Sequence, residues 1–268
     1  MKASDWHNKV CLVTGASSGL GWAIAKAFAE RGAKVIITAR RVEPLQHAAE
    51  KLGAGIEAIA ADVTRRDDVQ RLRHAIAEHY GRLDLLCNCA GQSTRGAVLD
   101  ATVDDFQQLL EVNFLAPVRM TRAFADLLME QQGHVVNIGS LASKLAPRYL
   151  GAYPASKFAL AAYSQQLRLE LGPLGLHVLL VCPGPILRED AAPRYADESA
   201  ELPDAARQPA AGAKLRGIDP GWLAERIIKA CERREPELVV PWKVRILLAI
   251  AQLSPKLGDW ILLRSTGG

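Results

Sequence analysis

The sequence predicts an α/β fold, a doubly wound parallel sheet with helices on both faces, and three observations carry that expectation. Short apolar runs alternate with helical segments along most of the chain, the pattern of a parallel sheet buried on both sides. A glycine-rich turn, Thr14-Gly-Ala-Ser-Ser-Gly-Leu-Gly21, separates the first apolar run from the first helical segment. Residues with chemistry to offer follow the ends of the runs, where an open sheet of this kind forms its ligand crevice.

The runs that read as strands are 10–14, 34–39, 56–60, 83–88, 134–138 and 177–182. Between the first two, Trp22-Ala-Ile-Ala-Lys-Ala-Phe-Ala-Glu30 has helical periodicity and stops before Gly32. Gly32, Gly53, Gly81 and Gly172 stand where four helices should close, the position that favours glycine as a C-terminal cap. Right-handed crossovers then place every strand C-terminus on one edge. The glycine turn, Arg40, Asp62, Asn88, Ser140 and Pro183 all follow strand ends, so they converge there although scattered in sequence.

Strand, glycine turn and helix in that order form the context of a Rossmann-type dinucleotide fingerprint. Gly15 permits the tight turn, Gly19 lets backbone approach a pyrophosphate, and Gly21 allows close helix packing. Ser17, Ser18 and Leu20 complete the turn, and the helix N-terminus offers N–H groups to phosphate. The second strand runs into Arg40-Arg41. Proteins of this type selective for NAD place an acid there for the ribose 2′-hydroxyl. Two guanidinium groups pair instead with a 2′-phosphate, so the expected cofactor is NADP, with NAD the lesser fit.

Tyr153-Pro-Ala-Ser-Lys157 places a phenol and an ammonium one helical turn apart on one face. A phenol titrates near about 10, so acid–base work near neutrality requires its anion to be stabilised. An ammonium about 4 Å away, at an effective dielectric near 20, contributes about 4 kcal/mol. Pro154 restricts the pair to a first helical turn, near the positive end of the helix dipole. A Tyr-x-x-x-Lys spacing is common by itself; the upstream glycine turn and Ser140 give it meaning.

With these motifs the chain resembles the short-chain dehydrogenase/reductase family, in its compact one-domain form, along nearly its whole length. The family's Thr-Gly-x-x-x-Gly-x-Gly turn is matched at 14–21, its adenine-contacting Asp-Val pair at Asp62-Val63, and its Pro-Gly after the sixth strand at Pro183-Gly184. Its Asn-Asn-Ala-Gly motif appears as Asn88-Cys89-Ala90-Gly91. The resemblance implies four catalytic residues, Asn113, Ser140, Tyr153 and Lys157. Tyr153 exchanges a proton with a substrate oxygen as hydride moves to or from the nicotinamide. Lys157 favours the tyrosinate and bonds the nicotinamide ribose, Ser140 donates to the substrate oxygen, and Asn113 anchors a water on a proton path. Tyr153 and Ser140 are therefore the expected substrate contacts. Ile186 is expected against the nicotinamide ring. Arginine stands at 188 where the family often has threonine, and it faces a phosphate, an acidic substrate group or solvent.

Retention of Tyr153 and Lys157 favours an enzyme over a non-catalytic NADP-binding redox sensor on the same fold. The glycine spacing and the absence of a long C-terminal domain also separate the chain from epimerase-type relatives. The stretch 187–217 is charged, rich in alanine and proline, and weakly periodic, and the resemblance makes it the substrate-closing loop. Leu141, Ala142, Leu145, Tyr149, Leu150 and Tyr195 offer an apolar pocket for a hydrophobic ketone, aldehyde or secondary alcohol.

The unbroken alternation over 268 residues reads as one domain. A net charge of +4 without a basic stripe argues against nucleic acid. Five cysteines, an odd number without metal-ligand spacing, fit a reducing compartment. Cys87 and Cys89 read as small buried residues, His134 and His177 as strand openers, and no metal is expected. The N-terminus lacks a signal-peptide pattern, so the expected location is cytoplasmic. The segment 242–264 is too apolar for a free tail, so the domain's own core, a second subunit or a membrane surface must cover it. The resemblance favours a homodimer or homotetramer. Trp242 and Trp260 among Lys243, Arg245, Lys256 and Arg264 keep peripheral membrane contact as the secondary expectation.

Overall fold

A computed structural model describes residues 6–187 and 216–265. Seven parallel strands form one sheet in the order β3-β2-β1-β4-β5-β6-β7. They are β1 Val10–Thr14, β2 Lys34–Thr38, β3 Ile56–Ala58, β4 Leu85–Asn88, β5 His134–Ile138, β6 His177–Pro183 and β7 Glu237–Val240. The chain runs outward from β1 to β3, returns to β4 beside β1, and continues the other way, so the order reverses between β1 and β4. Ligands bind at such a switch point in open α/β sheets.

The helices are α1 Gly19–Ala29, α2 Val42–Leu52, α3 Arg66–Tyr80, α4 Val103–Leu110, α5 Ala116–Glu130, α6 Tyr153–Leu171, α7 Pro220–Glu232, α8 Val244–Leu253 and α9 Pro255–Ser265. Successive side chains of a strand point to opposite faces, and the two cores follow that alternation. Cys11, Val13, Val35 and Ile37 pack with Ile24 and Phe28 of α1 and Ile227 and Ile228 of α7. Val10, Leu12 and Ile36 face the other way, onto Leu72 and Ile76 of α3 and Met120 and Phe124 of α5. Truncating a fully buried ring such as Phe28 to alanine costs about 3–5 kcal/mol in cores of this kind. Arg31 fastens α1 to α7 by a two-pronged pair with Glu225, at 3.0 and 2.7 Å.

Several details differ from the sequence reading, among them small shifts at the ends of β2, β4 and β6. The seventh strand was not anticipated, because Glu237-Leu-Val-Val240 is a four-residue run that joins the sheet only by pairing with β6. Strand three stops at Ala58. Helix α1 begins at Gly19, so the last glycines of the turn are already helical. Gly53 and Gly81 close α2 and α3 with positive φ, and Gly32 turns the chain after α1. Gly172 has φ −58° and carries the chain into a 3-10 turn; the left-handed residue is Gly175, at φ 100°.

His134 and His177 do open β5 and β6, paired in register, with their Nδ1 atoms 2.8 Å apart. His177 Nε2 lies 2.9 Å from the Glu235 carbonyl, which only accepts. That nitrogen therefore carries the hydrogen, and His177 Nδ1 accepts from His134 Nδ1–H. Burial pushes the pKa of His134 down to about 3 and that of His177 down to about 4. None of the five cysteines forms a disulfide, and Cys87 is buried while Cys89 is partly exposed.

Candidate active site

The glycine turn sits at the switch point. Gly15 N donates to Thr38 O at 2.8 Å, and Thr14 Oγ1 accepts from Cys89 N and Ala90 N, both at 3.0 Å. The ends of β1, β2 and β4 are thus laced together by one turn. Gly15 has φ 66°, and a Cβ there would lie 2.8 Å from Ala90 Cα. A Cβ on Gly21 would lie 2.5 Å from Gly15 O, so helix and turn meet through glycine backbone. Gly19, at φ 57°, has no atom within 4 Å of the Cβ position, which leaves open space beside the helix start.

Ser18 precedes α1 in extended conformation without a side-chain cap, and the first turn holds no acid. The first intrahelical bond there is Trp22 N to Ser18 O, so the N–H groups of Gly19, Leu20 and Gly21 lack helical partners. Arg40 and Arg41 stand exposed just beyond β2. Among the described residues neither guanidinium has a hydrogen-bond or ion-pair partner. Asp62 turns its carboxylate onto Thr64, accepting from its N–H at 2.9 Å and its hydroxyl at 2.6 Å. Val63 is buried beside it, with its carbonyl accepting from Arg119 at 3.3 Å.

Asn88 ends β4 and donates through Nδ2 to Asn137 Oδ1 at 2.8 Å. Asn137 donates in turn to Ser164 Oγ at 2.9 Å, and Ser164 to Leu160 O at 2.7 Å. This buried chain ties β4 and β5 to α6. Asn88 Oδ1 is buried without a hydrogen-bond partner, on a wall shared with Thr14, Val63 and Ala90. A buried acceptor without a donor costs about 1–3 kcal/mol. Uncapped helix donors, space at Gly19, two unpaired guanidinium groups and an unpartnered amide oxygen together fit a dinucleotide laid across the switch point.

Asn113 lies in a π-helical turn, Glu111–Leu115, between α4 and α5. The wider turn bulges one residue inward, as such turns do at functional sites. Its buried amide accepts from Gln92 N at 2.9 Å and donates to Gln92 O at 2.8 Å and Ser156 Oγ at 3.0 Å. Asn113 thereby clamps the loop after Gly91 to the helix of Tyr153. A Cβ on Gly91 would lie 2.8 Å from Asn113 Oδ1 and 3.6 Å from Lys157 Nζ, so only glycine fits.

Ser140 follows β5 and caps a 3-10 turn, Leu141–Ser143. Its Oγ accepts from Ala142 N at 3.1 Å, and Ser143 Oγ accepts from Ser140 N at 3.1 Å. The Ser140 hydroxyl proton remains to donate outward. Tyr153 is the first residue of α6, with Pro154 behind it. Its ring is partly buried against Ala142 and Leu150. Lys157 is buried and donates to Ile138 O at 2.8 Å. Burial pushes its pKa down to about 8, which still leaves an ammonium at neutral pH. Its Nζ lies 5.8 Å from the Tyr153 ring centroid, so the ammonium and the phenol share one face of the helix.

Gly184 N donates to Val240 O at 2.8 Å, so β7 holds the Pro183-Gly184 turn. Ile186 is partly buried and pairs with Ile218 in an isolated parallel bridge. Gly96 N donates to Tyr149 O at 3.2 Å and Gly151 N to Gly96 O at 3.1 Å, joining two loops beside Tyr153. Tyr149 has φ 63°, a strained value for a bulky residue, as turns near sites often carry. Arg188, Tyr195 and most of the 187–217 loop lie outside the described residues. The sequence reading missed Gln92, Asn137, Ser156 and Ser164, which hold the site together. Asn137, a polar residue inside the apolar run His134-Val-Val-Asn-Ile138, was the available signal.

A family profile described as short chain dehydrogenase matches residues 9–199. Short-chain dehydrogenase ptmH of Penicillium ochrochloron is 41% identical over 182 residues, covering 67% of this chain and 66% of that protein. A short-chain dehydrogenase structure from Streptomyces avermitilis superposes with TM-score 0.80 at 32% identity, covering 98% of each chain. A Burkholderia phymatum short chain dehydrogenase/reductase solved with NAD gives 0.81 at 25% identity, covering 94% of this chain and 96% of that one. The L-sorbose reductase of Gluconobacter frateurii, complexed with NADPH and L-sorbose, gives 0.76 at 26% identity, covering 89% and 97%. The sheet order, the glycine turn and these likenesses agree: the chain belongs to the short-chain dehydrogenase/reductase family and is an oxidoreductase.

Proposed function

We propose that this oxidoreductase uses NADP(H) to interconvert a carbonyl and a secondary alcohol on a hydrophobic substrate. One observation carries the reading: Tyr153 opens a helix whose buried Lys157 lies one turn on, beside the strand end that bears Ser140. When bound, the nicotinamide supplies or accepts the hydride. The Tyr153 hydroxyl gives its proton to the substrate oxygen in reduction and recovers it in oxidation. The Lys157 ammonium lowers the cost of the phenolate. Ser140, oriented by the capping bond to Ala142, donates to the oxygen on which charge develops. Asn113 holds the Gly91–Gln92 loop in place around Lys157, and its family role on a proton path remains part of this proposal.

Gly15, Ser17, Ser18, Gly19, Leu20 and Gly21 would hold the pyrophosphate, and Asp62 and Val63 the adenine. Asn88, Ala90, Gly91, Pro183, Gly184 and Ile186 would border the nicotinamide half. Arg40 and Arg41 support the preference for NADP, because both guanidinium groups are free to meet a 2′-phosphate. Solved relatives hold either NAD or NADPH, which supports a nicotinamide cofactor without choosing between them. The apolar packing of Ala142 and Leu150 on Tyr153 supports a hydrophobic substrate.

The test is a panel of ketones, aldehydes and secondary alcohols followed at the NADPH absorbance. Turnover of apolar carbonyls with NADPH is expected. Cofactor binding without turnover of any substrate class would instead identify a sensor.

A further inference from the structure

The C-terminal pair α8 and α9 forms a helical hairpin with one packed side. Val244 and Leu248 pack against Leu180, Cys182 and Val239. The two helices touch closely at Gly258, where a Cβ would lie 2.7 Å from Ala251 Cβ. The domain's own core thus covers only part of the apolar surface. Trp242 and Leu253 remain 66% and 88% exposed, and Ile246, Leu257, Trp260 and Leu263 are exposed as well. Ile246 and Leu253 lie two helical turns apart on one stripe of α8, Trp242 stands in the turn just before it, and Trp260 and Leu263 share a stripe of α9.

The charges around these residues are nearly all of one sign. Residues 242–265 contain Lys243, Arg245, Lys256 and Arg264 against a single acid, Asp259. Arg264 lies 4.1 Å over the Trp260 ring, and Arg245 is engaged with the Glu237 carbonyl at 3.2 Å. Apolar side chains, two tryptophans and basic residues are what an interfacial helix presents to a bilayer with anionic headgroups. A two-fold contact with a second copy would set this patch against itself, bringing like charges together. An anionic surface pairs with them instead. The helices have 10 and 11 residues, too short to span, and among the described residues no helix is long and apolar enough to cross a membrane.

We propose that the α8–α9 hairpin is a membrane-docking element that lies in the interface of an anionic bilayer.

Co-sedimentation of the full chain with phosphatidylcholine vesicles, with and without phosphatidylglycerol, tests this at low and high salt. Binding is expected only with phosphatidylglycerol, weakening as salt rises. Lys243→Glu with Lys256→Glu should weaken it by at least about tenfold, since each basic residue near such a surface contributes about fivefold. Ile246→Ser with Trp260→Ser should also abolish it, with circular dichroism and light scattering unchanged. Should a variant fold poorly, quenching of the unmodified protein's tryptophans by bromine-labelled phosphatidylglycerol gives the same reading without mutation. The proposal is overturned if the full chain ignores phosphatidylglycerol vesicles, if folded variants of both kinds bind as well as the unmodified protein, or if no quenching occurs. An oligomer that breaks up in Ile246→Ser with Trp260→Ser would assign the face to a second copy and overturn it too. Because none of these readouts involves turnover, their failure is distinct from failure of the proposed reaction.

Discussion

Lys157 Nζ donates to the Ile138 carbonyl at 2.8 Å, joining the helix of Tyr153 to the strand end that leads into Ser140. Residues far apart in sequence are thereby fixed in one geometry by a buried charge. Near neutral pH that ammonium is held against its desolvation cost.

Replacing Lys157 by methionine should therefore separate stability from activity. The folded pKa is depressed from 10.5 to about 8, so the stability associated with this group is present above about pH 10.5 and lost as pH falls to about 8. At pH 7 the penalty is fully in force, amounting to about 3 kcal/mol before discounting the bond to Ile138 O. Lys157→Met should stabilise the cofactor-free protein at neutral pH by about 1–2 kcal/mol, with the gain shrinking above pH 8. Urea unfolding across that range checks the sign, while turnover should fall by at least about a hundredfold.

Tyr153→Phe removes the acidic proton and little else. Turnover should drop by about 100- to 10,000-fold, with cofactor affinity nearly unchanged in a fluorescence titration. Substantial residual turnover would mean that another group serves as the acid.

Arg40 and Arg41 should set cofactor choice. A charge-assisted bond is worth about 1.5–3 kcal/mol, so Arg40→Ala should weaken NADPH binding by at least about tenfold and leave NADH little affected. Calorimetric titration of both cofactors measures this, and equal affinities in the unmodified protein would remove the basis for NADP preference.

Gly91→Ala forces a methyl group to within 2.8 Å of Asn113 Oδ1. Overpacking of this kind costs about 1–3 kcal/mol, and here it falls on the clamp around Lys157. Turnover should suffer more than the unfolding midpoint, a comparison that single-substrate kinetics and thermal melts can make together.

The His134–His177 pair should make the fold acid-sensitive. Both pKa values are depressed from 6.5, to about 3 and about 4. Stability is thus complete above about pH 6.5, where the unfolded rings are also neutral, and is lost as pH falls toward the folded values. Between pH 7 and 5 the loss should be about 2 kcal/mol per ring. His134→Gln with His177→Gln should flatten that dependence in denaturant melts.

The sequence by itself determined the fold class, the glycine turn and the Tyr153–Lys157 spacing, because these rest on local rules. Strand alternation, glycine at positive φ and proline in a first turn are properties of a few consecutive residues, and Gly15, Gly81 and Pro154 stand as those rules require. Tertiary structure decided the rest. Strand β7 exists only through pairing with β6, and after α6 the left-handed residue is Gly175 because Gly172 carries the chain into a 3-10 turn first. The grip of Asn113 on Gln92 and the Asn88–Asn137–Ser164 chain depend on partners 21 to 49 residues apart. The pKa of Lys157 likewise depends on burial that only packing supplies. A local pattern encodes a conformation, whereas a contact between distant residues is fixed only when the sheet and its helices close around it.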